Sequence, residues 1–261
     1  MWNIQSKIII VSGLISFSLL GTTDLQGGSM VDHSLYNKLL NKYVNNKGLV
    51  NYRAWKNQDV NTLDTYLDMI KEVDTSKLEV KNELLAFWIN TYNALTIRGI
   101  LHFYPTNSIK NHVSVVGYSI WKDYKININD NDYSLDDIEH KILRNMDEPL
   151  IHFALVCASI GCPPLLKEAF RADNLEEQLA DNARVFFLDP TKFDADSENN
   201  IIKLSPILDW YKDDFGNDQR ERLNFIIPYI PDNIARNLLQ DSDVTVEYLD
   251  YNWGINEQKN Y

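Results

Sequence analysis

The sequence predicts an α+β single domain, in which a small mixed or antiparallel sheet packs against several helices, and three observations predict it. The longest periodic segment, residues 83–104, is apolar almost all round, with Leu84, Leu85, Phe87, Trp88, Ile89, Tyr92, Leu95, Ile97 and Ile100. A helix without a clean polar face belongs in the middle of a fold. Amphipathic helical periods at residues 34–44, 63–73, 134–146 and 175–187 can surround it. Short strand signals at 124–128, 201–204 and 244–249 do not alternate strictly with helices, which argues against a parallel α/β sheet. The chain has 261 residues, 44% hydrophobic and 24% charged, enough to bury a full core as one domain.

The first 29 residues are expected to lie outside that domain. Lys7 precedes an apolar run at 8–20 that is too short for a comfortable membrane span, and small residues follow at Gly21, Thr22 and Thr23. This is the pattern of a secretory signal peptide, with an uncleaved anchor as the alternative. No cysteine follows the run, so the usual bacterial lipid attachment is excluded. Residues 30–261 are then the folded domain of a periplasmic or secreted protein that keeps no stable membrane span after signal removal.

The helix at 34–44 is closed by the turn ending in Gly48. Residues 49–52 read as extended, and 63–73 as a helix with Leu63, Tyr66, Leu67 and Ile70 on one side. Pro105 ends the central helix. Asn90 and Asn93 share a face of that helix with Ile97 and Ile100. Buried amides must be hydrogen-bonded or cost about 1–3 kcal/mol each. They either tie the helix to loop backbone or orient a catalytic His or a substrate carbonyl. Alternation at 124–128, a turn at 129–132 and a return at Tyr133 form a hairpin signal; the turn lacks the Gly and distal Glu of a calcium loop.

Ser134 with Asp137 reads as a helix cap, opening a helix to about Met146. Leu135, Ile138, Ile142 and Met146 form its apolar stripe, and Glu139 sits inside that stripe. A carboxylate there needs a partner or a raised pKa, so Glu139 is a candidate for catalytic work or for a structural ion pair. His140 and Arg144 lie at the far edge.

Both cysteines fall in residues 151–165, with His152 and Gly161. Residues 151–158 read as a buried strand, and Pro163 and Pro164 suit the first turn of a following helix. That places Cys162 at a helix N-terminus, where unpaired N–H groups favour the reactive thiolate. Gly161 would admit a substrate backbone. In an exported chain, Cys157 and Cys162 can instead form a structural disulfide. Their spacing fits no zinc pattern. If His152 lies on a strand, alternation turns it away from Cys157. Beyond, residues 175–187, 206–211, 220–230 and 231–239 read as helices, 194–200 as a polar turn, and 201–204 and 244–249 as strands.

The formal charge of −12 argues against nucleic acid or an anionic membrane as partner. No nucleotide, phosphate, flavin or haem motif is present, so no bound organic cofactor is expected, and the cysteine spacing with one upstream His names no metal ligands.

Five separated segments carry a family resemblance: the run 86–95, the run 133–144, the cysteine segment, Asp209-Trp210-Tyr211, and Tyr251-Asn252-Trp253. In these the chain resembles the family called domain of unknown function 547, from about Leu35 to Trp253. The family's closing motif carries Asp where this chain has Asn252. The resemblance singles out Asn90, Asn93, Glu139, His140, His152, Cys157 and Cys162. Such a set invites comparison with cysteine hydrolases of papain or transglutaminase type, and with a cysteine-protease-like fold. The expected function is a thiol-dependent hydrolase or acyltransferase acting on amide or peptide-type bonds of a small-molecule or peptide substrate. Cys162 would be the nucleophile, His140 or His152 the base, and Glu139 or Asn93 the orienting group. The alternative is a non-catalytic exported binding or scaffold module whose cysteine pair is structural.

Overall fold

The computed structural model describes residues 31–114 and 117–259; the leader expected at 1–29 lies outside the described residues. Four helices open the fold: α1 Ser34–Tyr43, α2 Tyr52–Gln58, α3 Val60–Lys71 and α4 Lys81–Phe103. The second was not anticipated, because residues 49–52 read as extended. Val50 does bridge to Val44 and to Glu257, but the Asn51 side chain accepts the Ala54 N–H and so starts a helix at Tyr52. As its apolar composition requires, α4 runs through the core, with Phe87, Ile89, Ala94 and Ile100 wholly inaccessible.

A single turn, α5 Ile120–Asp123, leads into the hairpin β1 Lys125–Ile128 and β2 Asn131–Ser134, joined by Asn129 and Asp130. Both joining residues have positive φ, the conformation a two-residue hairpin turn with native twist demands and Asn and Asp tolerate. The Ser134 hydroxyl accepts from Asp137 N–H and donates to its carboxylate, as the cap signal implied. The segment after this cap is not an α-helix, however. It is a π turn, Asp137–Ile142, then a 3-10 turn, Leu143–Met146.

The strand expected at 151–158 is likewise absent. Its first half is a 3-10 turn, Pro149–Phe153, with Pro149 at the start and the Glu148 carboxylate accepting the Leu150 N–H. A continuous apolar run reports burial on all sides and cannot by itself distinguish a strand from any other buried segment. Nor is there a helix after Pro163 and Pro164, because side-chain amides occupy the backbone there. Asn90 pairs with both the N–H and the C=O of Phe170, Gln178 with Ala169 C=O and Arg171 N–H, and Asn182 with Pro164 C=O.

After α6 Leu175–Phe187, strand β3 Phe193–Asp196 pairs antiparallel with β4 Ile201–Leu204, and β5 Thr245–Tyr248 pairs parallel with β4. This is the small mixed sheet of the expected α+β domain, although β3 occupies residues read as a polar turn. Between β4 and β5 lie the short helices α7 Ile207–Trp210, α8 Lys212–Phe215, α9 Gln219–Ile226 and α10 Asn233–Gln240. The chain then returns across the fold: Asn256 C=O accepts from Val50 N–H, and Tyr52 Oη donates to its side chain. Among the described residues, no helix is long and apolar enough to cross a membrane.

Candidate active site

The cysteine loop is irregular but held on both sides. From α4, Asn93 donates to Ala154 C=O at 3.0 Å and accepts from Val156 N–H at 2.9 Å. Asn182 on α6 donates to Phe153 C=O. From the C-terminal segment, Gly254 and Asn252 carbonyls accept the N–H groups of Ile160 and Gly161, and Asn256 N–H donates to Ala158 C=O. Within this frame Ala158 adopts φ +62°, a left-handed conformation that costs a non-glycine residue about 1–2 kcal/mol. The reversal folds Cys157 and Cys162 against each other.

Their sulfurs are 2.6 Å apart, both as free thiols. The Cys157 N–H also donates to Cys162 Sγ at 3.0 Å, and Tyr251 Oη lies 3.1 Å from Cys162 Sγ and 3.5 Å from Cys157 Sγ. The two thiols are not equivalent. Cys162 is buried at 3% exposure, and burial, followed by the neighbouring Cys157 sulfur, pushes its pKa well up. Cys157 is half-buried; the Cys162 thiol hydrogen bond holds it down to about 7, against burial, with help from Tyr251 and Ser159. The helix N-terminus expected to activate Cys162 does not exist, and a second thiol acts on Cys157 in its place.

These sulfurs line a cavity of about 130 Å³, shared with Glu139, His152, Tyr92, Tyr211, Tyr251 and three tryptophans, Trp121, Trp210 and Trp253. Glu139, delivered by the π turn, accepts from Tyr92 Oη at 2.9 Å and from Tyr211 Oη at 2.5 Å. Its partners are thus phenols rather than an arginine. Burial raises all three tyrosines, so their hydroxyls remain protonated donors.

His152 stacks on the Tyr211 ring with centroids 4.0 Å apart, and its Nε2 is 2.7 Å from Asp214 Oδ2. Arg144 grips the same carboxylate through Nε at 2.6 Å and Nη2 at 2.7 Å. Although burial opposes ionisation, the His152 and Arg144 hydrogen bonds hold Asp214 well below the usual carboxylate range. Arg144 Nη1 in turn donates to His140 Nδ1 at 3.2 Å. His140 does not line the cavity; it connects to His152 through Arg144 and Asp214 and through the Tyr211 ring, on which both histidines stack.

The structure brings together Cys157, Cys162, His152 and Glu139. It keeps Asn93 on backbone duty beneath the loop and leaves His140 at the periphery. The strand reading that turned His152 away from Cys157 falls with the strand itself, since a 3-10 turn has no two-residue alternation. The space beside Gly161 is not open to a substrate: a Cβ there would lie 2.8 Å from the Tyr251 ring. Sequence reasoning did not reach Asp214, Tyr92 or the tyrosine donors to Glu139. The available signals were the segments Asp209-Trp210-Tyr211 and Tyr251-Asn252-Trp253, which supply two cavity tyrosines and two tryptophans. Among the described residues, no group of three or more His, Cys, Asp or Glu side chains is placed to hold a metal ion.

Comparison with curated proteins and with solved structures gives no match, and so lends no support to a cysteine-protease-like fold. Comparison with family models gives one: residues 75–187 match the family described as protein of unknown function, DUF547. The matched stretch carries Tyr92, Asn93, Glu139, His152, Cys157 and Cys162, whereas Asp214, Tyr211 and Tyr251 come from outside it. Residues 75–187, less than half of the 261-residue chain, are thus similar to the DUF547 family.

Proposed function

We propose that this protein is an exported thiol-dependent hydrolase or acyltransferase acting on amide or peptide-type bonds, with Cys157 rather than Cys162 as the attacking sulfur. The observation that carries this reading is the cavity in which a half-buried thiol, lowered to about 7, shares walls with a carboxylate-held histidine. A thiolate is the nucleophilic form, and near pH 7 a good part of Cys157 is in that form. It attacks the substrate carbonyl carbon; the acyl group becomes a thioester on Cys157, and the leaving amine must take a proton. Asp214 occupies Nε2 of His152, leaving Nδ1 as the nitrogen that exchanges protons. Tyr251 Oη, a donor beside both sulfurs, can meet negative charge that develops on the carbonyl oxygen. The apolar run at 8–20 supports export, the condition under which a reduced pair must be kept from oxidation.

The test is acylation with a nitrophenyl ester, followed by mass spectrometry of the quenched protein. The expected result is a burst of one nitrophenolate per protein, with the acyl group on Cys157, and loss of the burst in Cys157→Ala. An equal burst from Cys157→Ala, or no acyl group on either cysteine, overturns the proposal.

A further inference from the structure

A single-cysteine acyl transferase has no use for a second thiol hydrogen-bonded to its nucleophile, and the arrangement here has a chemistry of its own. We infer that the cavity is also a dithiol–disulfide exchange centre for small neutral disulfides, in which Cys157 attacks and Cys162 resolves. Four observations converge on that assignment. The sulfurs lie 2.6 Å apart, so closing them to an S–S bond of about 2.05 Å needs only a small movement of one side chain. Accessibility is graded as exchange requires: both sulfurs line the cavity, but Cys157 is half-buried whereas Cys162 keeps only 3% exposure, so Cys157 is the sulfur met first. The left-handed turn at Ala158, fixed by the C-terminal segment, holds the two sulfurs together before any substrate arrives. The cavity is walled by Trp210, Trp253 and Tyr251, whose rings lie within 4.5–5.7 Å of one another, and these walls suit a small uncharged molecule rather than a folded protein.

The step balances without any group the protein lacks. The Cys157 thiolate attacks one sulfur of R–S–S–R, a bond forms between Cys157 and that sulfur, and R–S⁻ leaves. Cys162 gives up its proton, attacks Cys157 Sγ, and expels the second R–S⁻. The protein dithiol is oxidised by two electrons to the Cys157 to Cys162 disulfide, and the substrate is reduced to one thiol and one thiolate, which share the Cys162 proton with the solvent. The exchange does not depend on the acyl-transfer reading, because no carbonyl chemistry enters it.

The experiment uses the reduced full domain and dithiodipyridine, a neutral aromatic disulfide that releases a coloured thione. The wild-type protein should release two thiones per molecule and finish two hydrogens lighter, with no pyridylthio group attached. Cys162→Ser, with Cys162→Ala as a second variant in case the buried serine impairs folding, should release one thione and retain one pyridylthio group on Cys157. Cys157→Ser should react about tenfold more slowly or worse, since it loses the accessible thiolate. A wild-type protein that keeps pyridylthio groups on both cysteines overturns the inference, as does a Cys157→Ser protein that reacts as fast as wild type. Exchange that persists without ester turnover would refute acyl transfer alone; ester turnover without exchange would refute this inference alone.

Discussion

Gly161→Ala tests whether the cavity wall is as tightly built as the structure indicates. A Cβ at residue 161 would lie 2.8 Å from Cε2 and Cζ of Tyr251 and 2.9 Å from Cδ2. Comfortable carbon–carbon contact begins near 3.5 Å, so the ring must retreat by roughly 0.7 Å. It has little room, with centroids 4.8 Å from Trp210 and 4.5 Å from Trp253. The backbone cannot give way cheaply either, because Gly161 N–H is bonded to Asn252 C=O at 2.9 Å. Overpacking of this kind costs about 1–3 kcal/mol, which in a domain of this size lowers the unfolding midpoint by roughly 2–12 °C. The sign is informative. Gly161 does not have positive φ, so an alanine without a clash would stabilise by about 0.4–1 kcal/mol through the unfolded chain. A second readout comes from the chemistry: Tyr251 Oη helps lower Cys157, so displacing it should raise the apparent pKa of Cys157 alkylation above about 7. Thermal unfolding and the pH profile of alkylation measure both effects. In a Tyr251→Ala background the penalty should shrink to within about 0.5 kcal/mol, because the two residues no longer meet. A Gly161→Ala protein at least as stable as wild type, with an unchanged Cys157 profile, would refute the reasoning.

Three further outcomes are expected. Asn93→Ala leaves Ala154 C=O and Val156 N–H without the Asn93 amide and should cost about 2–5 kcal/mol in denaturant unfolding; a loss under about 1 kcal/mol would refute the role of that amide in holding the loop. Asp214→Asn keeps a hydrogen-bonding group beside His152 but removes its charge; acyl transfer should fall roughly a hundredfold while the Cys157 alkylation profile stays in place, and parallel loss of both would place Asp214 in the fold rather than the reaction. His33, buried and bonded to Tyr66 Oη, is pushed by burial from its ordinary value to about 4. Between its unfolded value near 6.5 and pH 4 the unfolded chain holds the extra proton, so stability falls as pH drops through that window. The full loss is roughly 3 kcal/mol, and His33→Gln should flatten that part of the stability–pH curve relative to wild type.

Long periodic segments were legible because their signal is repeated within the segment. The helices α3, α4 and α6 and the Asn129 and Asp130 hairpin lie where period and turn chemistry put them. The cysteine loop was not legible, because its backbone groups are satisfied by amides from elsewhere: Asn93 and Asn90 from α4, and Asn182 and Gln178 from α6. A local pattern of apolar residues and prolines contains no trace of those partners, so it suggested a strand and a helix where there is neither. Glu139 could be found, since a carboxylate inside an apolar stripe is anomalous at any pitch, and the π turn still buries it. Asp214 could not, because α8 spans four residues and has no period to depart from.

The two buried asparagines show why the fold and the site cannot be separated here. An asparagine in mid-helix is a mediocre helix former, and burying it is costly unless all of its polar atoms are used. Asn93 uses both ends of its amide to hold the loop just before Cys157, as Asn90 does for Phe170 beyond Cys162. One rigid helix thus fixes the segment carrying the two sulfurs from both of its flanks, while the C-terminal segment holds it from the opposite side. A loop secured in this way can sustain the left-handed Ala158 and two touching thiols, which a freely jointed loop would relax. The apolar length of α4 and its two embedded amides therefore serve the same end, a fixed Cys157 thiolate whose neighbour is always within reach.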